Sequence, residues 1–306
     1  PRESYQLATK LPAWAGAKTA EEARAMLATS LERTGAGYFD FYLLHNLGDN
    51  RIEAFDRFGI WDFLAEQKAK GVIKHLGFSF HDKADVLDDL LNKHPNMEFV
   101  QLQINYADWE SVSIQSRACY EVARKHGKPV VIMEPVKGGS LADLPEKIAA
   151  PMKEFAPNAS LPSWAIRYAA SLDGLVTVLS GMSSLEQMKD NLSFMKDFKP
   201  LTEEEHAAVK KVCDIIHSKN LIPCTACRYC IDGCPKHISI PDLFACMNTK
   251  QIYHDWNADY YYNNVHTVDH GKASDCVECG KCEKACPQHL KIRELLKEVA
   301  KGFEKK

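Results

Sequence analysis

A chain of 306 residues is long enough to bury a large core and to divide into more than one domain. With 38 basic against 41 acidic side chains, a formal net charge of -3, it gives nucleic acid and anionic membrane surfaces no electrostatic hold, which leaves small molecules and other proteins as partners. No apolar run approaches the roughly 20 residues of a membrane span, and the opening PRESYQLATK lacks the apolar centre of a signal peptide, so a cytoplasmic chain with no membrane contact is expected.

In chain order, six short runs carry strand character: YQLATK (residues 5–10), FDFYLLH (39–45), IKHLGFS (73–79), EFVQLQI (98–104), PVVIME (129–134) and LVTVLS (175–180). Helical spacing lies between them, in Ala23, Met26, Leu27 and Leu31, in Val86, Leu87, Leu90 and Leu91, and around Tyr120 and Ala123. This alternation predicts an α/β domain with a parallel sheet and crossover helices, its last unit ending near Phe194. Over residues 201–220, Thr202 and Glu205 form a capping-box pair that opens a connecting helix. Beyond it proline, cysteine, tyrosine and asparagine replace the aliphatic residues, which predicts a division into 1–200 and a smaller domain at 201–306.

The smaller domain contains a repeat. Cys224, Cys227, Cys230, Cys234 and Pro235 recur in the same order as Cys276, Cys279, Cys282, Cys286 and Pro287, and the match continues through His237 and His289, Ile240 and Ile292, and Leu243 and Leu295. Each half reads C-x-x-C-x-x-C-x-x-x-C-P. A tetrahedral zinc site wants two pairs of ligands and has no obvious place for the third closely spaced cysteine. An iron-sulfur cubane takes three thiolates from one tight loop and a fourth from elsewhere, the spacing of bacterial two-cluster ferredoxins. By that logic Cys224, Cys227, Cys230 and distant Cys286 hold one [4Fe-4S] cluster, and Cys276, Cys279, Cys282 and Cys234 the other. Cys119, Cys213 and Cys246 fall outside the pattern and read as small core residues. The insert between the halves carries Tyr253, Trp256, Tyr260, Tyr261 and Tyr262, an aromatic group whose expected role is packing.

Polar residues at strand ends matter in parallel barrels, whose sites lie at the carboxyl ends of the strands. Lys10 ends the first run, His45 the second and Ser79 the third, and Gln103 sits near the end of the fourth. With these residues in place the sequence resembles the aldo-keto reductases, eight-stranded (β/α)8 TIM-type barrels that pass hydride between a nicotinamide cofactor and a carbonyl. LATK resembles the strand with the family's active-site lysine, at Lys10, and FDFYLLHN the strand ending in its active-site histidine, at His45. HLGFS and QINY place Ser79 and Gln103 at carboxamide-binding positions; SGMSSLEQMKDN places Gly181, Gln187 and Asn191 in the segment that meets the cofactor adenosine. The family's tyrosine acid and its aspartate precede the LATK strand, so the resemblance implies the last six strand–helix units of eight. Some bacterial members are similar also in carrying a ferredoxin-like C-terminal domain, here expected to be mainly helical.

The resemblance implies an iron-sulfur oxidoreductase that reduces a carbonyl or related small molecule with NADP(H) or NAD(H). Gly181 and Gln187 stand where many members place cations for a 2'-phosphate, so the choice of nicotinamide stays open. Nicotinamide delivers two electrons and a cluster accepts one, so exchange between them calls for a flavin or a redox partner protein. No convincing flavin-binding sequence is present. The alternative expectation is an electron-transfer or partner-binding iron-sulfur protein whose barrel is a scaffold with a decayed site. Gly138 and Gly139 are read either as an approach to a pyrophosphate or as an ordinary turn.

Overall fold

The structure is a computed structural model that describes residues 1–111, 114–218, 221–253 and 257–304. By packing, the chain divides into two compact units: Pro1–Ile104, Asp108–Met133 and Leu172–Ser180 form the first, and Asn105–Ala107, Glu134–Ser171 and Gly181–Lys306 the second.

The first unit is built on six parallel strands paired in chain order, β1 (Ala8–Leu11), β2 (Phe39–Leu47), β3 (Ile73–Phe80), β4 (Phe99–Gln103), β5 (Val130–Met133) and β6 (Leu175–Val178). All six predicted strands are present. The first starts later than expected because Arg2–Ser4 form a 3-10 turn and the Leu7 N–H is taken by the Asp40 carboxylate at 2.9 Å. Between the strands run α1 (Ala20–Thr34), α2 (Asp49–Arg57), α3 (Ile60–Ala69), α4 (Ala84–Lys93) and α5 (Ser116–Lys125). Helix α1 begins at a Thr19 cap and stops at Gly35 in the left-handed conformation (φ 59). This strand–helix alternation is that of the last six units of a (β/α)8 barrel.

Side chains alternate across the sheet. On one face, Tyr42, Leu44, Leu76, Phe78, Val100, Leu102 and Ile132 are buried. On the other, Leu43, Phe99 and Val131 form a small apolar cluster with Phe41 beside it. The strands come close there only because of Gly77: a Cβ on it would stand 2.4 Å from the Phe99 carbonyl oxygen and 2.8 Å from two ring carbons. At the start of β2, burial alone would raise the Asp40 pKa. The Leu7 N–H and the Lys74 and Arg2 cations outweigh it and hold the carboxyl far below its usual range, pinning β1, β2 and β3 together.

The second unit holds α6 (Glu146–Phe155), α7 (Leu161–Ala170), α8 (Leu185–Met195), α9 (Glu203–His217), α10 (Ile240–Tyr253), α11 (Asn257–Tyr261), α12 (Lys281–Ala285) and α13 (Ile292–Phe303). The connecting helix begins with the expected capping box of Thr202 and Glu205, and Glu205 also takes a two-pronged ion pair from Arg167 at 2.7 and 2.8 Å. Met152, Trp164 and Val212 pack α6, α7 and α9 together. Residues 219 and 220, the end of the expected connector, lie outside the described residues.

Around the cysteines, Leu243, Phe244, Leu296, Val299 and Phe303 form a second core that includes Cys246. Tyr262 is fully buried in it, stacked on Phe303 at 4.4 Å, with its hydroxyl donating to Glu304 at 2.6 Å and accepting from the Ala273 N–H. Tyr260 and Tyr261 are half exposed, whereas Trp256 and the Tyr253 side chain lie outside the described residues. No described helix is long and apolar enough to cross a membrane. Overpacking a closed core costs about 1–3 kcal/mol, so Gly77→Ala is expected to lower the chemical denaturation free energy by that amount while Gly71→Ala, whose added Cβ has open space, costs only its left-handed strain.

Candidate functional site

The first unit carries Lys10 on β1, His45 on β2, Ser79 on β3 and Gln103 as the last residue of β4, all toward the carboxyl ends of adjacent strands. Lys10 and His45 are half-buried and close enough for their charges to interact. Burial, then Lys10, then Arg51 lowers the His45 pKa to about 4, and burial alone lowers that of Lys10. The imidazole is therefore neutral at pH 7, able to hydrogen-bond an oxygen without adding charge.

Two further groups belong here that the sequence reading missed. His81 follows directly on β3, and burial, then His45, Arg51 and Lys10, takes its pKa to about 3. Arg51, from α2, is buried and lies with its guanidinium 5.1 Å from the Trp14 ring centre. Trp14 in turn donates its indole N–H to the His45 carbonyl at 2.8 Å and sets its ring 5.8 Å from the imidazole. His81 was within reach of the strand-end rule, since it sits two residues beyond Ser79. Arg51 was not, because its place depends on how α2 packs.

Ser79 is buried and accepts the Asn46 N–H at 2.8 Å, holding that residue in the left-handed conformation (φ 58) just after His45. Gln103 is buried and donates to Asp108 at 3.2 Å. Gly48 lets the β2 end approach β3, since a Cβ there would meet Asp82 Oδ2 at 2.8 Å. Gly181, Gln187 and Asn191 belong to the second unit. Gly181 is exposed with open space around it. Gln187 closes a capping box with Ser184 at the start of α8, its amide oxygen accepting from Ser183 N–H at 2.7 Å, and Asn191 lies one turn further on. The Ser184 and Gln187 pair was a legible capping signal that the sequence reading passed over.

Eight of the cysteines form two groups, and none of the eleven is in a disulfide. Cys224, Cys227, Cys230 and Cys286 lie within electrostatic reach of one another: burial first, then the neighbouring sulfurs, pushes the Cys230 thiol up to about 12 and Cys224 to about 11. The Thr225 hydroxyl, inside the first loop, donates to Gln288, just past Cys286, at 3.1 Å, and both residues are buried. The second group lines a cavity with Cys234, Cys276, Cys279 and Cys282 around it, together with Pro235, Lys236 and Gly280. Each group thus takes three cysteines from one repeat and one from the other. Among the described residues no three His, Cys, Asp or Glu side chains converge on a single-ion position.

The repeat is also a repeat of backbone conformation. Ala226 and Glu278 both have φ 54, Arg228 and Gly280 have φ 65 and 73, and His237 and His289 have φ 51 and 50. These left-handed residues, costly outside glycine, turn backbone N–H groups toward sulfur, as in Ala226 N–H to Cys224 Sγ at 3.5 Å.

Residues 1–214 match the model of the Aldo/keto reductase family. The chain belongs to that family. Residues 223–291 match the 4Fe-4S dicluster domain. A Bacillus subtilis protein described as an uncharacterized oxidoreductase, YqkF, is 25% identical over 204 residues, 59% of this chain and 62% of the relative, so the chain spans less than two thirds of that relative's length. Among solved structures, the holo form of aldo-keto reductase AKR11C1 from Bacillus halodurans is 26% identical with a TM-score of 0.55, covering 69% of this chain and 73% of that one. An aldo/keto reductase from Brucella melitensis shares the fold at 20% identity and a TM-score of 0.54, over 69% of this chain and 75% of its own.

The donor sets fit iron-sulfur clusters. Burial first, then neighbouring charges, raises the Cys224, Cys230 and Cys282 thiols, and a cation such as iron would favour their ionised form. For the aldo-keto site, ring-resolved NMR is expected to place the His45 midpoint near 4 and to raise it in Lys10→Gln. Because His45 and His81 stay neutral in the fold, the unfolded chain takes up protons that the folded one excludes as pH falls from 6.5 to about 3. Stability is therefore expected to decline across that window, and less steeply in His81→Asn.

Proposed function

We propose that the chain is an iron-sulfur oxidoreductase of the aldo-keto type, reducing a carbonyl or related small molecule with a nicotinamide cofactor. The observation that carries this reading is the strand-end group in which burial, then Lys10 and Arg51, holds His45 neutral at the carboxyl end of one of four successive strands. A bound nicotinamide supplies the hydride. His45 orients the carbonyl oxygen through its uncharged imidazole, and Lys10 places a positive charge where the family's tyrosine must release its proton. Ser79 and Gln103 present the polar edge for the carboxamide, held in place by their bonds with Asn46 and Asp108. NADP(H) and NAD(H) are both admitted. The oxidoreductase description of the Bacillus subtilis relative agrees with this class of activity.

The eight repeat cysteines hold two [4Fe-4S] clusters with crossed ligation, Cys224, Cys227, Cys230 and Cys286 around one and Cys276, Cys279, Cys282 and Cys234 around the other. Hydride carries an electron pair and a cluster takes a single electron, so the clusters serve a one-electron carrier protein rather than the nicotinamide directly.

Loss of a positioned acid–base group costs about 10²–10⁴ in rate. Lys10→Met and His45→Ala are each expected to lower kcat/KM for NAD(P)H-dependent carbonyl reduction within that range, and unchanged turnover in both would end the proposal. For the clusters, Cys286→Ser and Cys234→Ser are each expected to remove about half the bound iron. Anaerobic NADH or NADPH without a mediator should leave the visible cluster absorbance unbleached.

A further inference from the structure

The two cysteine loops match in sequence and in backbone, yet their surroundings differ. Thr225, between Cys224 and Cys227, is buried, and its hydroxyl is spent on Gln288. Gly138 packs on the same residue: a Cβ on it would stand 3.1 Å from the Thr225 carbonyl oxygen. Val277 occupies the matching place between Cys276 and Cys279, and it is 53% exposed. Cys279 is itself exposed, whereas its counterpart Cys227 is half-buried. The first loop is thus covered within the second unit, and the second loop opens to solvent. A valine held in water gains free energy from any partner that covers it.

Charge around the open loop has one sign to spare. Residues 276–306 carry eight basic against five acidic side chains, in a chain that is acidic as a whole. Glu278 and Glu283 are each tied to a cation, Lys297 at 2.9 Å and Arg293 at 2.8 Å. Lys236 and Lys281 are exposed and have no carboxylate partner among the described residues. Lys236 lines the cavity that holds Cys234, Cys276, Cys279 and Cys282, and Lys281 lies beside the Cys234 turn, its Cβ 3.8 Å from where a Cβ on Gly233 would stand. We propose that the second loop is the electron port of the chain: an acidic one-electron carrier protein docks over Val277 and Cys279, steered by Lys236 and Lys281. This rests on the two-cluster reading above. In the exchange one electron leaves the reduced carrier and reduces the second centre, with no bond made or broken and no proton moved. Because Cys279 is at the surface, a docked carrier stands one side chain from the sulfurs. Electron-transfer contacts are small and transient, so steering by charge governs their rate more than buried area does.

The test uses the full chain with its clusters reconstituted anaerobically and assayed for iron and sulfide, and a reduced plant-type [2Fe-2S] ferredoxin as the acidic probe. Rapid mixing is expected to bleach the cluster absorbance at a rate that falls as salt is raised. Lys236→Gln combined with Lys281→Gln is expected to slow that step about tenfold at low salt, and the paired arginine changes to preserve it. Lys211→Gln, an exposed change on α9, should leave the rate in place, and methyl viologen radical should reduce the paired glutamine variant no more slowly than the wild-type chain. A carbodiimide, which joins lysine to carboxylate without a spacer, is expected to link the ferredoxin to Lys236 or Lys281 in peptide mass spectra. Uptake should persist in Cys227→Ser, which disables the first centre, and fail in Cys282→Ala, which disables the second. Unchanged rates in the paired glutamine variant, cross-links only at other lysines, or uptake that survives Cys282→Ala overturns the proposal, as does a fully loaded wild-type chain that takes no electron from the ferredoxin. Failure of the wild-type chain to bind two clusters overturns the two-cluster reading instead.

Discussion

Parallel pairing in strict chain order is the constraint on which the first unit depends. Each strand must return to the same edge before the next is laid down, so every strand end faces the same way and the residues that leave those ends collect on one rim. Lys10, His45, Ser79 and Gln103 come from widely separated stretches of chain and meet through that rule alone. Gly77 and Asp40 serve it from opposite directions, one by leaving room for Phe99 between neighbouring strands, the other by fastening the chain at the start of β2.

Electrostatics then refines what topology gathers. Burial acts first on His45, and Lys10 and Arg51 add to it. The result is an uncharged imidazole beside two cations. In the second unit the logic is reversed. There burial first, and then the neighbouring sulfurs, opposes the ionisation of Cys230, which a cation would favour.

The strand positions, the connecting helix and its cap, and the cysteine grouping were legible in sequence because each rests on local periodicity or spacing. All six strands overlap their predicted runs, and the pairing of Cys286 with the first loop and Cys234 with the second follows from the doubled motif. What escaped depends on contacts remote in sequence. Arg51 reaches the site through the packing of α2, Thr225 and Gln288 meet across the repeat, and Gln187, read for its chemistry, spends its amide oxygen on a helix start. Gly138 is the instructive case. Its residue type left an approach to a pyrophosphate and an ordinary turn both open, and only the packed structure identified Thr225 as its neighbour.

The matched left-handed residues of the two cysteine repeats show a segment copied with its backbone intact, down to His237 and His289. Yet each copy gathers three of its own sulfurs and lends the fourth away. The unit of inheritance and the unit of assembly are therefore different. A single copy completes neither group of four sulfurs, so each half depends on the other.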